Sequence, residues 1–417
     1  MDRAFDIIIR RARLRSQGDT LVDIGIKGGR IAAIAERLPG EAATDIDVRG
    51  YLVTESFVNP HLHLCKVWTL PMMEEEALKA YQGEAMGKAM AGIELAAKIK
   101  EKYAASWITA NARRAVALAA LYGNLHIRAF ADVDSKAGLE GVKALIAIRE
   151  EFRGVVDVQV VAFAQDGLIR EPGALGLMQQ AMTLGCDVVG GIPWIELTDK
   201  DAAAHVTACF DLATTFNKDV SMLLDDAGDP GLRTLEMMAV ETIRRGWTGR
   251  ALAHHCRAMS LYPIPYLQRL ARLLRNARIS IVTDPHTGPL HAQVKALLEE
   301  NVPVCLGQDD ISDAYYPFGR NNMLEVAFLA SHLLWMMTRQ EIEILYDMIT
   351  LRAAAALNLH DFGLLPGAAA NLVVLKAPNL VDALRFHEAP AHVISHGHLV
   401  DQTRMRMLAL SDCERPA

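Results

Sequence analysis

The 417-residue chain is 51% apolar and 22% charged, the make-up of a folded protein with a large buried core. Its formal net charge of −7 offers no basic footprint for nucleic acid. No stretch of about 20 apolar residues is free of charge, which argues against a membrane span. The N-terminal MDRAFDIIIRRARL lacks the apolar segment and cleavage site of a secretory leader. Six cysteines (Cys65, Cys186, Cys209, Cys256, Cys305 and Cys413) are scattered without CxxC pairs, as expected of reduced thiols in a cytoplasmic protein.

Along the chain, residues 5–14, 22–34 and 45–53 are short alternating or β-branched runs punctuated by Gly and Asp, and read as strands. Strands then alternate with helices. The strand patterns are LVTESFVN (52–59), NLHIRAFADV (124–133), VDVQVVAFA (156–164), CDVVGGI (186–192), DVSMLL (219–224), RALAHH (250–255), RISIVT (278–283) and VPVCLG (302–307). Helical patterns between them include residues 74–104, read as one long helix, and 231–246. After residue 364 the strand pattern returns in ANLVVLKAP (370–378) and HVISHGHLVD (392–401).

Eight short apolar strands alternating with helices imply parallel pairing through βαβ crossovers, and eight strands close a barrel. The predicted fold is α/β: a (β/α)8 TIM barrel over 54–364, with a small β-sandwich domain composed of 1–53 and 365–417. A doubly wound open sheet is the alternative if a strand is miscounted.

The segment FVNPHLHLCK (57–66) carries the first chemical signal. Side chains at i and i+2 of a strand share a face. On a barrel strand that face is the interior, so His61 and His63 point together to the C-terminal mouth, where barrel enzymes build their sites. Such a pair can chelate a divalent cation, or be two polar residues at a strand end; a second HxH, His396 to His398, reads as a surface turn. LGQDDISDAYYPFGRNNML (306–324) brings Asp309 and Asp310 to the same rim. A carboxylate there can complete a mononuclear site, whereas a solvated loop or helix cap is the plainer account of the pair.

These pieces together resemble the amidohydrolase superfamily, in the branch of cytosine deaminase and an N-isopropylammelide aminohydrolase of triazine degradation. FVNPHLHLCK resembles the strand-one motif, with Lys66 following and Cys65 where Asp is usual. VVAFAQDG (160–167) resembles the strand-three segment whose glutamine, here Gln165, contacts substrate. ALAHHCRAM (251–259) resembles the strand-six motif with His255, and the strand-eight motif supplies Asp309 as metal ligand. LLPGAAANLVVL (364–375) resembles the return to the terminal sheet, with Asn371 where Asp is usual. The resemblance implies hydrolysis of a C–N bond in an aminated nitrogen heterocycle by metal-activated water.

It fails at strand five. In VSMLLDDAGDP (220–230), Leu223 stands where the family carries a metal-ligand histidine, and Asp226 where it carries a proton-shuttling glutamate. No histidine falls between residues 206 and 253. Phe130 and Trp194 replace polar residues of relatives, implying a more apolar and aromatic substrate pocket. His61, His63 and Asp309 remain as a two-histidine, one-carboxylate set for one divalent ion: zinc first, iron or manganese as alternatives. His255 either joins as a fourth ligand or hydrogen-bonds the attacking water; the second role is the expectation. Asp309 is expected to take a proton from water and Asp226 to protonate the leaving nitrogen.

Asp225 and Asp229 read as caps of the next helix, and His254 as a structural residue facing away from His255. Cys65 and Cys256 read as packing, and His286 as a turn residue. Other readings are hydrolysis of a cyclic or side-chain amide, or a metal-poor binding paralogue without activity. A homo-oligomer is expected, with residues 74–104 either joining copies or covering the barrel. No nucleic-acid or membrane partner is expected.

Overall fold

The computed structural model describes residues 3–15, 17–72 and 76–411. Cys413, and residues 74 and 75 of the expected long helix, lie outside the described residues. Eight parallel strands form one sheet in sequence order: Phe57–Leu62, Asn124–Asp132, Asp157–Phe163, Val188–Gly191, Asp219–Leu224, Ala251–His255, Ser280–Thr283 and Val304–Leu306. They are called strands one to eight below. Nearly every residue in them is buried, which is why they read as continuous apolar runs rather than alternating ones.

The sheet closes where strand eight returns to strand one. Leu62 forms a parallel bridge with Asp309. The Asp309 N–H donates to the His61 carbonyl at 2.9 Å, and the His63 N–H to the Asp309 carbonyl at 2.8 Å. Consecutive order and this closure exclude the doubly wound sheet, whose order reverses at a switch point. Barrel closure thus brings the HxH segment and the strand-eight aspartate into main-chain contact.

The terminal segments make a second eight-stranded sheet. The pattern LVTESFVN divides between the two sheets. Leu52–Glu55 pairs antiparallel with Leu372–Leu375 and so joins the terminal sheet, whereas Phe57 begins the barrel. Ile7, Ile9, Ile24, Val53, Leu372 and Ile394 form an apolar cluster there, separate from the barrel core. Past this sheet, helix Gln402–Ala409 packs on barrel helix Ala105–Tyr122, with Arg114 Nε donating to the Ala409 carbonyl at 2.9 Å.

The long helix expected over 74–104 is broken. Helices Glu76–Gln82 and Ala89–Ala96 fold back on each other around a turn in which Glu84, Ala85 and Met86 all have positive φ. A helix cannot continue through three left-handed residues. Gly92 lets the two helices touch, since a Cβ there would lie 2.9 Å from Tyr81. Tyr81, Met86 and Ile93 from this hairpin join Phe130, Phe163, Trp194, Leu223 and Tyr315 in one apolar cluster over the barrel mouth. The apolar residues of the segment are therefore covering the barrel.

Candidate metal and catalytic site

Ring nitrogens of His61, His63 and His255 and a carboxylate oxygen of Asp309 lie within 4.8 Å of one another. All four side chains are buried at the barrel mouth. Asp309 Oδ1 is the meeting point: His61 Nε2 is 2.9 Å from it, His63 Nε2 3.8 Å and His255 Nε2 3.9 Å. His61 can approach strand eight this closely because residue 307 is glycine; a Cβ there would fall 2.8 Å from the His61 Cβ.

Strand parity does not account for His255. His254 is the inward residue of the pair, with its Nδ1 2.8 Å from His61 Nδ1. The expectation that His254 faces away is corrected. His255 reaches the mouth because its φ is +64° and that of Cys256 is +53°, which turns the chain at the end of strand six. Asp225 and Asp309, at the ends of strands five and eight, also have positive φ. Such conformations are uncommon outside glycine and gather at functional sites.

Behind the histidines lies a buried charge network. Asp284, at the end of strand seven, accepts from His255 Nδ1 at 2.9 Å and from Arg257 Nη2 at 2.5 Å. Arg257 also reaches Asp226 through Nε at 3.0 Å and Asp309 at 3.4 Å. Thr287 Oγ1 donates to Asp309 Oδ2 at 2.8 Å. Gly288 makes room for the guanidinium, since a Cβ there would sit 2.2 Å from Nη1.

Burial pushes His61 and His63 well below the ordinary imidazole range, with nearby cations adding to it, so both rings are neutral and have a lone pair to offer. Burial would also lower His255, but Asp284, Asp226 and Asp309 together raise it to about 9. Burial would raise Asp284, yet Arg257 and His255 hold it well below the usual carboxylate range. Burial and the neighbouring Asp284 charge push Asp309 far upward. The Asp309 carboxyl is therefore short of positive charge on the side where two neutral imidazoles converge. That donor set and that deficit fit one divalent cation.

Asp226 also rises, mainly through burial, although His255 and Arg257 oppose this. Its Oδ2 accepts from the Tyr81 hydroxyl at 3.1 Å. A tight cavity of about 10 Å³ sits above the cluster, lined by His63, Tyr81, Gln165, Asp226, Asp309 and Tyr315 among others, with Ile93, Ile192 and Leu223 as apolar wall. Gln165 is engaged at both ends: its Oε1 takes Lys66 Nζ, and its Nε2 donates to the Tyr315 hydroxyl at 2.9 Å.

His61, His63, Asp309, His255, Asp226 and Gln165 are thus brought together. Phe130 and Trp194 stand outside the cavity lining. The Phe130 ring packs below the histidines, 4.5 Å from His61 and 5.4 Å from His63, and Trp194 is buried in the apolar cluster behind Leu223. Asp225 accepts from the Thr234 N–H at 2.7 Å and from its hydroxyl at 2.6 Å, a cap on helix Thr234–Arg244 as read from the sequence. His286 contacts the Gln308 carbonyl at 3.2 Å, away from the cavity. Sequence reasoning missed Asp284, Arg257 and Tyr81. Asp284 carried a usable signal, an acid at the C-terminal end of a barrel strand; Tyr81 carried none.

The chain matches the amidohydrolase family over residues 45–401. It belongs to the amidohydrolase family. This amidohydrolase is 29% identical to N-isopropylammelide isopropyl amidohydrolase of Pseudomonas sp. (strain ADP), across 96% of this chain and 98% of that protein. It is 24% identical to pterin deaminase of Rhizobium rhizogenes, across 93% and 90%. Among solved structures, 5-methylcytosine deaminase from Klebsiella pneumoniae with bound 5-fluorocytosine superposes with a TM-score of 0.86 at 30% identity, covering 94% of this chain and 97% of that one.

Proposed function

We propose that this amidohydrolase, a hydrolase of C–N bonds other than peptide bonds, acts on an aminated nitrogen heterocycle with the help of one divalent ion. One observation carries the reading: three ring nitrogens and the Asp309 oxygen lie within 4.8 Å of one another beside a cavity lined by Gln165. The activities named for the ammelide, pterin and methylcytosine relatives support the substrate class. His61, His63 and Asp309 would hold the ion, zinc in the first instance, with iron or manganese compatible with the same donors. When bound, such an ion supplies Lewis acidity and brings the pKa of water from ~15.7 towards ~7.

The protein's own groups do the rest. Asp309 takes the proton of the attacking water on its carboxylate. His255, steadied by Asp284, turns Nε2 to the developing charge. Gln165 exchanges its Tyr315 contact for the amide-like edge of the ring. Asp226, whose burial favours the protonated form, gives its proton to the departing nitrogen. The proposal extends to a small-molecule substrate, a cytoplasmic location and a homo-oligomer. Among the described residues, no helix is long and apolar enough to cross a membrane.

The strand-five departure favours a second reading. Leu223 presents an apolar surface to the cavity, and Asp226 is tied to Arg257 and Tyr81. That arrangement suits a leaving group other than ammonia, as in hydrolysis of a ring or side-chain amide.

The test is the metal content of protein purified without tag or chelator, beside a His61→Ala/His63→Ala double variant. Near-stoichiometric zinc, iron or manganese in the parent and its loss in the variant is the expected result. Ammonia release from aminated pyrimidines, triazines and pterins then separates the two hydrolytic readings. A parent protein that is empty and refuses added metal would overturn both and leave a binding paralogue.

A further inference from the structure

His254 is completely buried inside the barrel, and no function read so far uses it. Its Nδ1 lies 2.8 Å from His61 Nδ1, and its Nε2 has no hydrogen-bond partner. Between two neutral imidazoles at that distance, one nitrogen must donate and the other accept. The contact therefore couples the tautomers of the two rings. A ring that coordinates an ion through Nε2 carries its proton on Nδ1, and metal-ligating histidines almost always donate that N–H to an acceptor. Among the described residues, the only hydrogen-bond partner of His61 Nδ1 is His254.

We infer that His254 is the positioning residue for His61: it accepts the His61 Nδ1 proton and so turns the Nε2 lone pair towards His63, His255 and Asp309. The inference rests on the metal-site reading above. His61 Nε2 already faces Asp309 Oδ1 at 2.9 Å, on the side where the ion would sit. The unpartnered His254 Nε2 is free to carry that ring's own proton, which leaves its Nδ1 an acceptor.

Two substitutions and one spectrum test this. Zinc and manganese are titrated into apo wild type, His254→Leu and His254→Gln, the last retaining an acceptor oxygen. The expected result is affinity about 10–100-fold weaker in His254→Leu, the usual consequence of losing such a partner, with substantial recovery in His254→Gln. Nitrogen NMR of labelled histidine is expected to show His61 as the Nδ1–H tautomer in the zinc-loaded wild type. Equal affinity in wild type and His254→Leu would overturn the inference while leaving the metal site standing. Equal losses in the Leu and Gln variants, or an Nε2–H tautomer of His61 in the zinc-loaded protein, would reduce His254 to a packing residue and overturn it too. A wild type that binds neither ion would overturn the metal site and this inference together.

Discussion

Two of the buried histidine–carboxylate pairs in the barrel are built for opposite ends. His205, on helix Asp199–Phe216, donates from Nδ1 to Glu196 at 2.7 Å and accepts the Ile192 N–H at Nε2, 3.1 Å. Glu196 also receives the backbone N–H groups of Leu168, Ile169 and Arg170 at 2.7–3.0 Å. Every polar atom of that histidine is satisfied, and the pair pins the loops after strands three and four to a helix. His255 and Asp284 make a pair of similar length, yet His255 sits at positive φ, and orphaned buried atoms surround it: His63 Nδ1, Asp310 Oδ1 and Arg257 Nη1. Closed networks stabilise, whereas a network with open valences and backbone strain is kept for a ligand.

Three experiments sharpen that contrast. The largest effect is expected from Arg257→Met. Removing the one guanidinium that faces Asp226, Asp284 and Asp309 leaves buried carboxylates uncompensated, at a cost of about 3–5 kcal/mol. Urea unfolding measures it, and a loss under about 1 kcal/mol would mean that the cluster neutralises itself by protonation.

Next comes Glu196→Gln, expected to cost ~1–3 kcal/mol at neutral pH through weakened or lost hydrogen bonds, with little change in catalysis. Burial would raise Glu196, but His205 and the backbone donors bring it down to about 2. A depressed carboxyl stabilises the fold fully above its ordinary range near 4.5 and loses that contribution as pH falls through about 2. The stability gap between parent and Glu196→Gln should therefore shrink on acidification from pH 5 towards 2. A gap that is constant over that range would contradict the assignment.

The smallest effect is expected from Tyr81→Phe, which removes only the hydroxyl bonded to Asp226 at 3.1 Å. A fall in kcat of about tenfold, equivalent to ~1.4 kcal/mol, with stability nearly unchanged is the expected outcome. An effect confined to KM would place the hydroxyl on substrate instead of on Asp226.

Much of the site was legible in local pattern. The i, i+2 spacing of His61 and His63 on an apolar strand required only the two-residue period, whereas Asp309 stands out only through the resemblance of its segment to the amidohydrolase strand-eight motif. Asp225 as a helix cap followed from an acid ahead of a helical pattern. The same rule of alternation misled at His254 and His255, because a positive φ at the strand end is a tertiary compromise that no local period encodes. The helix expected over 74–104 failed for a related reason: its composition favours helix, but the turn at Glu84 to Met86 is held from outside, where the Gly228 N–H donates to the Met86 carbonyl at 3.2 Å.

The amino-acid sequence by itself determined the barrel, its closing strands and the paired histidines of the candidate site, because strand periodicity and side-chain chemistry are properties of short segments. Only the tertiary structure decided that His254 stands behind His61, that Arg257 and Asp284 support His255, and that a broken helix covers the mouth. Those contacts join residues from 27 to 193 positions apart, such as Arg257 with Asp284 and His61 with His254. They form only once the barrel has closed, since closure brings the ends of distant strands within hydrogen-bond reach.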